Sequence, residues 1–190
     1  MKINVSPINW PARSIRHIPP QERRSRMRLR GRCMDGPGPY AHDEGMLVLP
    51  LIALVLHGAL AGLFYAFSMS VMPALNAVEP AQAETVMRSV NKKILNPWLY
   101  VAFLGAPVAA LVAGLFADGP AAVWFFAAAG VNFVGSFVVT VAINVPMNNA
   151  VDAGTMPWRE YSPRWTAWNT VRAAASLAGL ALVGVGLAWL

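Results

Sequence analysis

Four long apolar runs separated by short polar interruptions set the pattern of this chain. Stretches without Asp, Glu, Lys or Arg extend over 45–78, 94–117, 119–151 and 173–190. At about 1.5 Å of rise per residue, each can cross or nearly cross a hydrocarbon layer of roughly 30 Å as a helix. The pattern predicts an all-α fold, a four-helix transmembrane bundle with spans near 46–75, 95–117, 121–144 and 168–190 inside a membrane domain 46–190. The interruptions are an amphipathic segment 80–95, a tight Asp118-Gly119-Pro120 turn, and a polar stretch from Asn144 to Arg172 read as a loop with two helix ends. An even number of spans puts the first and third connections on one side, so their polar residues share one membrane face.

Composition agrees: 56% of residues are hydrophobic and 13% charged, outside the balance of a soluble domain. The net charge of +6 is uneven, because nine of the fifteen basic residues lie before residue 33. From Met46 onward six basic residues face five acidic ones, which leaves no basic surface for nucleic acid. Residues 1–45, with eight arginines and six prolines, read as a disordered basic tail or as an over-extended start before Met34 or Met46. The single Cys33 cannot form an internal disulfide. Basic residues in the first connection (Arg88, Lys92, Lys93) and the third (Arg159, Arg164) favour placing both in the cytoplasm, with the C-terminus outside, of a multi-pass protein of a bacterial inner membrane, whereas the arginine-rich tail favours the reverse; the orientation follows the body of the chain.

Helices in lipid approach through small side chains. Such ridges occur in the first span (Gly58, Gly62, Ala66, Ser70, Ala74), the second (Gly105, Ala109, Ala113) and the fourth (Ala175, Gly179). They suit a compact bundle, and Gly58 with Gly62 equally suit a homo-oligomer. Pro73, Pro97, Pro146 and Pro163 read as helix-end punctuation.

The candidate site comes from polar residues that lipid would not tolerate. Asn132, Ser136, Thr140 and Asn144 recur every four residues along the third span and are expected to face the bundle interior. His57, Tyr65 and Ser68 line a face of the first span, with His57 at a depth comparable to Asn132. Asn96 and Tyr100 open the second span; Trp165, Trp168, Asn169 and Arg172 share a face at the start of the fourth, with Asn148 beside them. Arg172, permanently charged and a turn inside an apolar run, requires amides, carbonyls, Asp152, Glu160 or a bound anion as partners, or must snorkel to headgroups. Duller readings stand beside these: Ser136 and Thr140 bonding their own backbone, and His57 with Asn132 as an interhelical pair. No metal or cofactor motif is present, and no cofactor is expected.

Phe64-Tyr65-Ala66-Phe67-Ser68 running into Val71-Met72-Pro73, Asn91 with Asn96-Pro97, Asn144-Val145-Pro146-Met147-Asn148, and Trp168-Asn169 with Arg172 resemble the four-helix membrane family that includes the anthrone oxygenases. The resemblance covers 46–190 and implies an integral membrane protein, with oxidation of an anthrone to an anthraquinone by molecular oxygen as the activity of its fungal relatives. For that chemistry the residues offer Arg172, Asn144 and Asn169 to hold an oxyanion, and His57 as the intramembrane group suited to act as base. Tyr65, Ser68, Asn96, Tyr100, Asn132, Asn148 and Trp168 are then expected to bind a small hydrophobic aromatic or quinone-like molecule. The alternative is a non-enzymatic protein that binds a lipid or quinone-like ligand, or a small subunit of a membrane complex, with membrane lipid as its constant partner.

Overall fold

The computed structural model describes residues 41–190, with side chains from Leu47 onward; nearly all of the arginine-rich tail lies outside the described residues. Regular structure there is entirely helical. Helix α1 (Ala41–Ala66) runs through a π-helical turn, Phe67–Val71, into α2 (Met72–Asn76). The amphipathic α3 (Pro80–Ile94) leads to α4 (Pro97–Phe116). Helix α5 (Gly119–Asn132) continues through π segments Phe133–Val138 and Thr140–Asn144 into α6 (Val145–Asp152), and α7 (Trp158–Leu187) ends the chain.

Four stretches are long and apolar enough to cross a membrane, Leu47–Asn76, Pro97–Phe116, Gly119–Asp152 and Trp158–Ala188. The chain is thus a multi-pass membrane protein. The second span, of 20 residues, just covers a hydrocarbon core of about 30 Å, whereas the others, of 30, 34 and 31 residues, exceed it by about 15–20 Å. Ala53, Ala113, Ala121, Phe125 and Val183, from all four spans, meet in one cluster. The helices are therefore flush at that end, and the excess length projects from the other.

There α3 folds against the projecting helices. Its buried Ala83 and Met87 pack on Met72, Leu75, Met147, Val151, Trp158, Tyr161 and Trp165. Cross-links reinforce the contact: the Trp158 backbone N–H donates to Glu84 Oε1 at 3.0 Å, and Asn91 Nδ2 to Asp152 Oδ1 at 3.3 Å. Asn76 Oδ1 accepts from both Trp158 Nε1 and Ser162 Oγ. At the flush end Gly119, at φ +59°, makes the reversal between the second and third spans in the left-handed region that glycine favours.

Several expectations are corrected. The stretch Asn144–Arg172 is helical except for 153–157, so Trp158, Arg159, Glu160 and Tyr161 lie in a helix rather than a loop. Pro97 opens a helix, but Pro73, Pro146 and Pro163 lie within helical stretches. Pro73 and Pro146 each stand one residue beyond the end of a π segment. A proline ring crowds the carbonyl four residues back and supplies no N–H to it. The widened turn relieves this, with the N–H of Met72 and of Val145 bonding five residues back, to Phe67 O and Thr140 O. Gly62, Ala66, Ser70 and Ala74 are exposed, so beyond Gly58 the small-residue ridge of the first span is turned away from the bundle core. The second and fourth ridges do pack: a Cβ at Gly179 would stand 2.5 Å from His57 Cδ2, and one at Gly105 2.8 Å from Leu56 Cδ1.

Candidate functional site

Between the flush core and the α3 end lies a cavity of about 350 Å³, within the range of small-molecule sites. All four spans and α3 wall it, mostly with apolar and aromatic side chains such as Leu63, Phe64, Phe67, Met87, Leu99, Phe103, Phe137 and Trp165. Its exposed wall residues are Leu95, Tyr100 and Leu104 on one side and Val141 and Val145 on the other, so the mouth opens sideways between the second and third spans. A molecule dissolved in the bilayer has direct access.

The polar side of the wall is built on the fourth span. Trp165, Asn169 and Arg172 recur at spacings of four and three, which in an α-helix turns all three inward. Arg172 is 6% exposed, so it does not snorkel. It donates to Asn169 Oδ1 at 2.8 Å and to Thr140 Oγ1 at 3.1 Å, and its guanidinium carbon stands 4.5 Å from the Phe64 ring centroid and 5.2 Å from that of Trp165. Its Nε has no partner, and among the described residues no carboxylate lies within salt-bridge distance; Asp152 serves Asn91 and Glu160 serves Arg164. Its charge is met only by neutral dipoles and ring faces. Such a group attracts an anion.

Asn169 fixes the arrangement. Its Nδ2 donates to Phe64 O and to Ser68 Oγ, both at 2.7 Å, which leaves Oδ1 for Arg172. Thr170 Oγ1 spends its proton on Thr166 O, so Ser68 donates to Thr170 in turn. Asn148 is fixed the same way: its Oδ1 accepts from Tyr161 Oη and Trp165 Nε1, both at 2.8 Å. With its oxygen occupied twice, Asn148 offers the cavity its amide N–H groups.

The structure brings together Arg172, Asn169, Asn148, Thr140 and Tyr100 as wall residues, with Ser68 directly behind Asn169. It places the remaining candidates elsewhere. Tyr65 and Trp168 are 53% and 40% exposed and point outward. Asn96 spends its amide on capping, accepting from the N–H of Trp98 and Leu99 and donating to Lys93 O. His57 is fully buried against Gly179 and bonds Ala53 O at 2.8 Å. The expected His57–Asn132 pair does not form; Asn132 Nδ2 reaches Ser176 Oγ at 3.5 Å instead. Ser136 Oγ and both amide atoms of Asn144 are buried without partners, so Ser136 does not bond its own helix. Neither Asn144 nor His57 lines the cavity. Among the described residues no three His, Cys, Asp or Glu side chains gather to hold a metal ion.

Sequence reasoning missed Phe64, Asn91, Phe103 and Phe137 in the wall, and Asn76, Glu84 and Tyr161 in the network behind it. Tyr161, a polar group beside an apolar run, and Phe64 and Asn91, each in a motif of the family resemblance, were the ones that gave a sign.

Fold and site together define an all-α, four-span membrane protein with a largely apolar cavity that opens between its second and third spans. Residues 98–182 match the family described as anthrone oxygenase, the family that the residue pattern resembles. The match takes in Thr140, Asn144, Asn148, Trp165, Asn169 and Arg172. No curated protein and no solved structure matches the chain.

Proposed function

We propose that this protein oxidises a flat, weakly acidic aromatic of the anthrone type with molecular oxygen, without a redox cofactor, in the membrane of a bacterial cell. The observation that carries the reading is the inward-turned Arg172, unpaired with any carboxylate of the described residues, at the polar edge of an aromatic cavity that opens to the bilayer.

An anthrone loses a proton from its methylene carbon to give an anion whose charge rests largely on the ring oxygen. Arg172 is the wall group that meets that oxygen, and stabilising it favours the proton loss. Among the described residues the wall carries no imidazole or carboxylate, so the proton passes to water at the mouth. The electron-rich carbon then reduces oxygen and forms a carbon–oxygen bond, giving a hydroperoxide after proton uptake. Loss of the remaining hydrogen on that carbon, with cleavage of the oxygen–oxygen bond, yields the quinone and one water. One oxygen molecule is consumed per anthrone, and the apolar walls admit it and exclude bulk water.

The lack of a base among the wall residues favours a second reading, a non-catalytic binder of a quinone-like molecule. Oxygen uptake with dithranol, a dihydroxyanthrone, separates the two. Protein in nanodiscs should consume oxygen well above the spontaneous rate and lose this with Arg172→Leu. Uptake at the spontaneous rate, with the quinone product still bound, would leave the binder.

A further inference from the structure

The seam between the second and third spans does not end at the mouth of the cavity. Beyond Leu104 and Phe137, which belong to both walls, it continues as an open groove of about 520 Å³. Pro107, Val108, Leu111, Phe126 and Gly130 line it, and among the described residues no polar side chain does. Phe137 forms the step between the two spaces, stacked on Phe133 at 5.3 Å and tilted against Phe103 at 5.4 Å.

Depth orders them. The guanidinium and the amides lie at the projecting, interfacial end, whereas the groove runs from Leu104 to Leu111 toward the flush end, about 10 Å along the second span. A lipid-like molecule in that leaflet has the same order, with its polar part at the surface and its chain toward the bilayer centre.

We propose that the groove holds the apolar tail of the same molecule whose ring occupies the cavity. The ligand class is then an acidic polycyclic aromatic bearing a linear hydrocarbon chain of roughly eight carbons, the extended length that fills about 10 Å. This rests on the cavity being the ring site. The continuity of the walls, the wholly apolar groove and the cation at the other end set the polarity of the ligand. Because a free tail is already in lipid, the groove contributes through packing and alignment rather than through transfer from water.

The test uses dihydroxyanthraquinone and the same ring carrying an octyl chain, titrated against protein in nanodiscs and read by ring absorbance. Gly130 and Val108 face outward, and a Cβ at Gly130 meets nothing within 4 Å, so Gly130→Phe and Val108→Phe fill the groove without entering the core. Each should raise the Kd of the octyl probe about fivefold and leave that of the plain ring unchanged. Val123→Phe, exposed on the third span but outside the groove, should change neither. Partition into the bilayer enriches the octyl probe equally for every variant and cancels in the ratio. If the plain ring binds and the octyl probe is indifferent to both groove variants, the tail assignment is wrong and the ring site stands. If the plain ring fails to bind, both are wrong.

Discussion

Replacing Arg172 by Leu should leave the fold nearly as stable while abolishing recognition of an acidic ring. The guanidinium makes two hydrogen bonds, at 2.8 and 3.1 Å, and lies over two aromatic rings. Charge-assisted bonds contribute about 1.5–3 kcal/mol each and desolvated cation–ring contacts about 1–2 each, so truncation forfeits about 5–10 kcal/mol in gross terms. Against this stand the cost of removing the charge from water, several kcal/mol, and the unpaired Nε, about 1–3 more. The two sides nearly offset, as they commonly do when a buried charge is exchanged for an apolar residue of similar reach. A net change under about 2 kcal/mol corresponds to a shift of at most about 8 °C for a domain of this size. Binding should respond differently, because a desolvated charge opposite a ligand anion is worth about 2–5 kcal/mol, at least about thirtyfold in Kd. Thermal unfolding in detergent and titration with dihydroxyanthraquinone measure the two effects separately. Arg172→Lys, which keeps the charge and loses the planar fork that spans Asn169 and Thr140, should fall between. A variant that unfolds 15 °C or more below the parent, yet binds the ring normally while folded, would make Arg172 a structural group and refute the argument.

Most of the other consequences are independent of the ligand. Asn148→Leu strands the Tyr161 hydroxyl and the Trp165 indole N–H, so chemical unfolding should show a loss of about 2–4 kcal/mol. Gly179→Ala forces a methyl against the His57 ring, 2.5 Å from Cδ2, and should lower stability by about 1–3 kcal/mol in a melting assay, whereas Gly184→Ala, with open space at its Cβ, should be neutral or slightly stabilising. Asn169→Asp would supply the carboxylate that Arg172 lacks, and ring binding should then weaken about tenfold or more in the same titration. With the basic first and third connections inside, alkaline phosphatase fused after Leu190 should be active and a cytoplasm-dependent reporter silent.

Much of the architecture was legible because membrane spans carry a strong, simple signal. Runs free of charge gave the four helices, and the inward turn of Asn169 and Arg172 followed from helical spacing. Two kinds of information were not legible. Spacing along one helix says which residues share a face but not which neighbour that face meets, so Tyr65 and His57 could both be placed toward the interior although one points to lipid and the other is sealed behind Gly179. Apolar wall residues such as Phe103 and Phe137 look like any lipid-facing side chain until the seam between their helices is seen. Asn96 is a third case, an amide wholly occupied in capping a helix that Pro97 opens.

The prolines show how a local backbone choice reaches the site. In a straight α-helix, residues four apart drift about 40° around the axis at each step, so a ridge from Asn132 through Ser136 and Thr140 to Asn144 would rotate about 120° and end facing lipid. Asn132, Ser136 and Asn144 are nonetheless all buried, and Thr140 reaches Arg172. The third span passes through π segments at Phe133–Val138 and Thr140–Asn144, whose wider turns take up that drift. Pro146 stands one residue beyond the second of them, as Pro73 does beyond the π turn that holds Ser68, and in both places the ring leaves a carbonyl that an ordinary turn cannot satisfy. The two proline motifs flanking the cavity therefore act on its chemistry through register: they keep the hydroxyl of Thr140 and the hydroxyl of Ser68 turned toward the fourth span, where Arg172 and Asn169 use them.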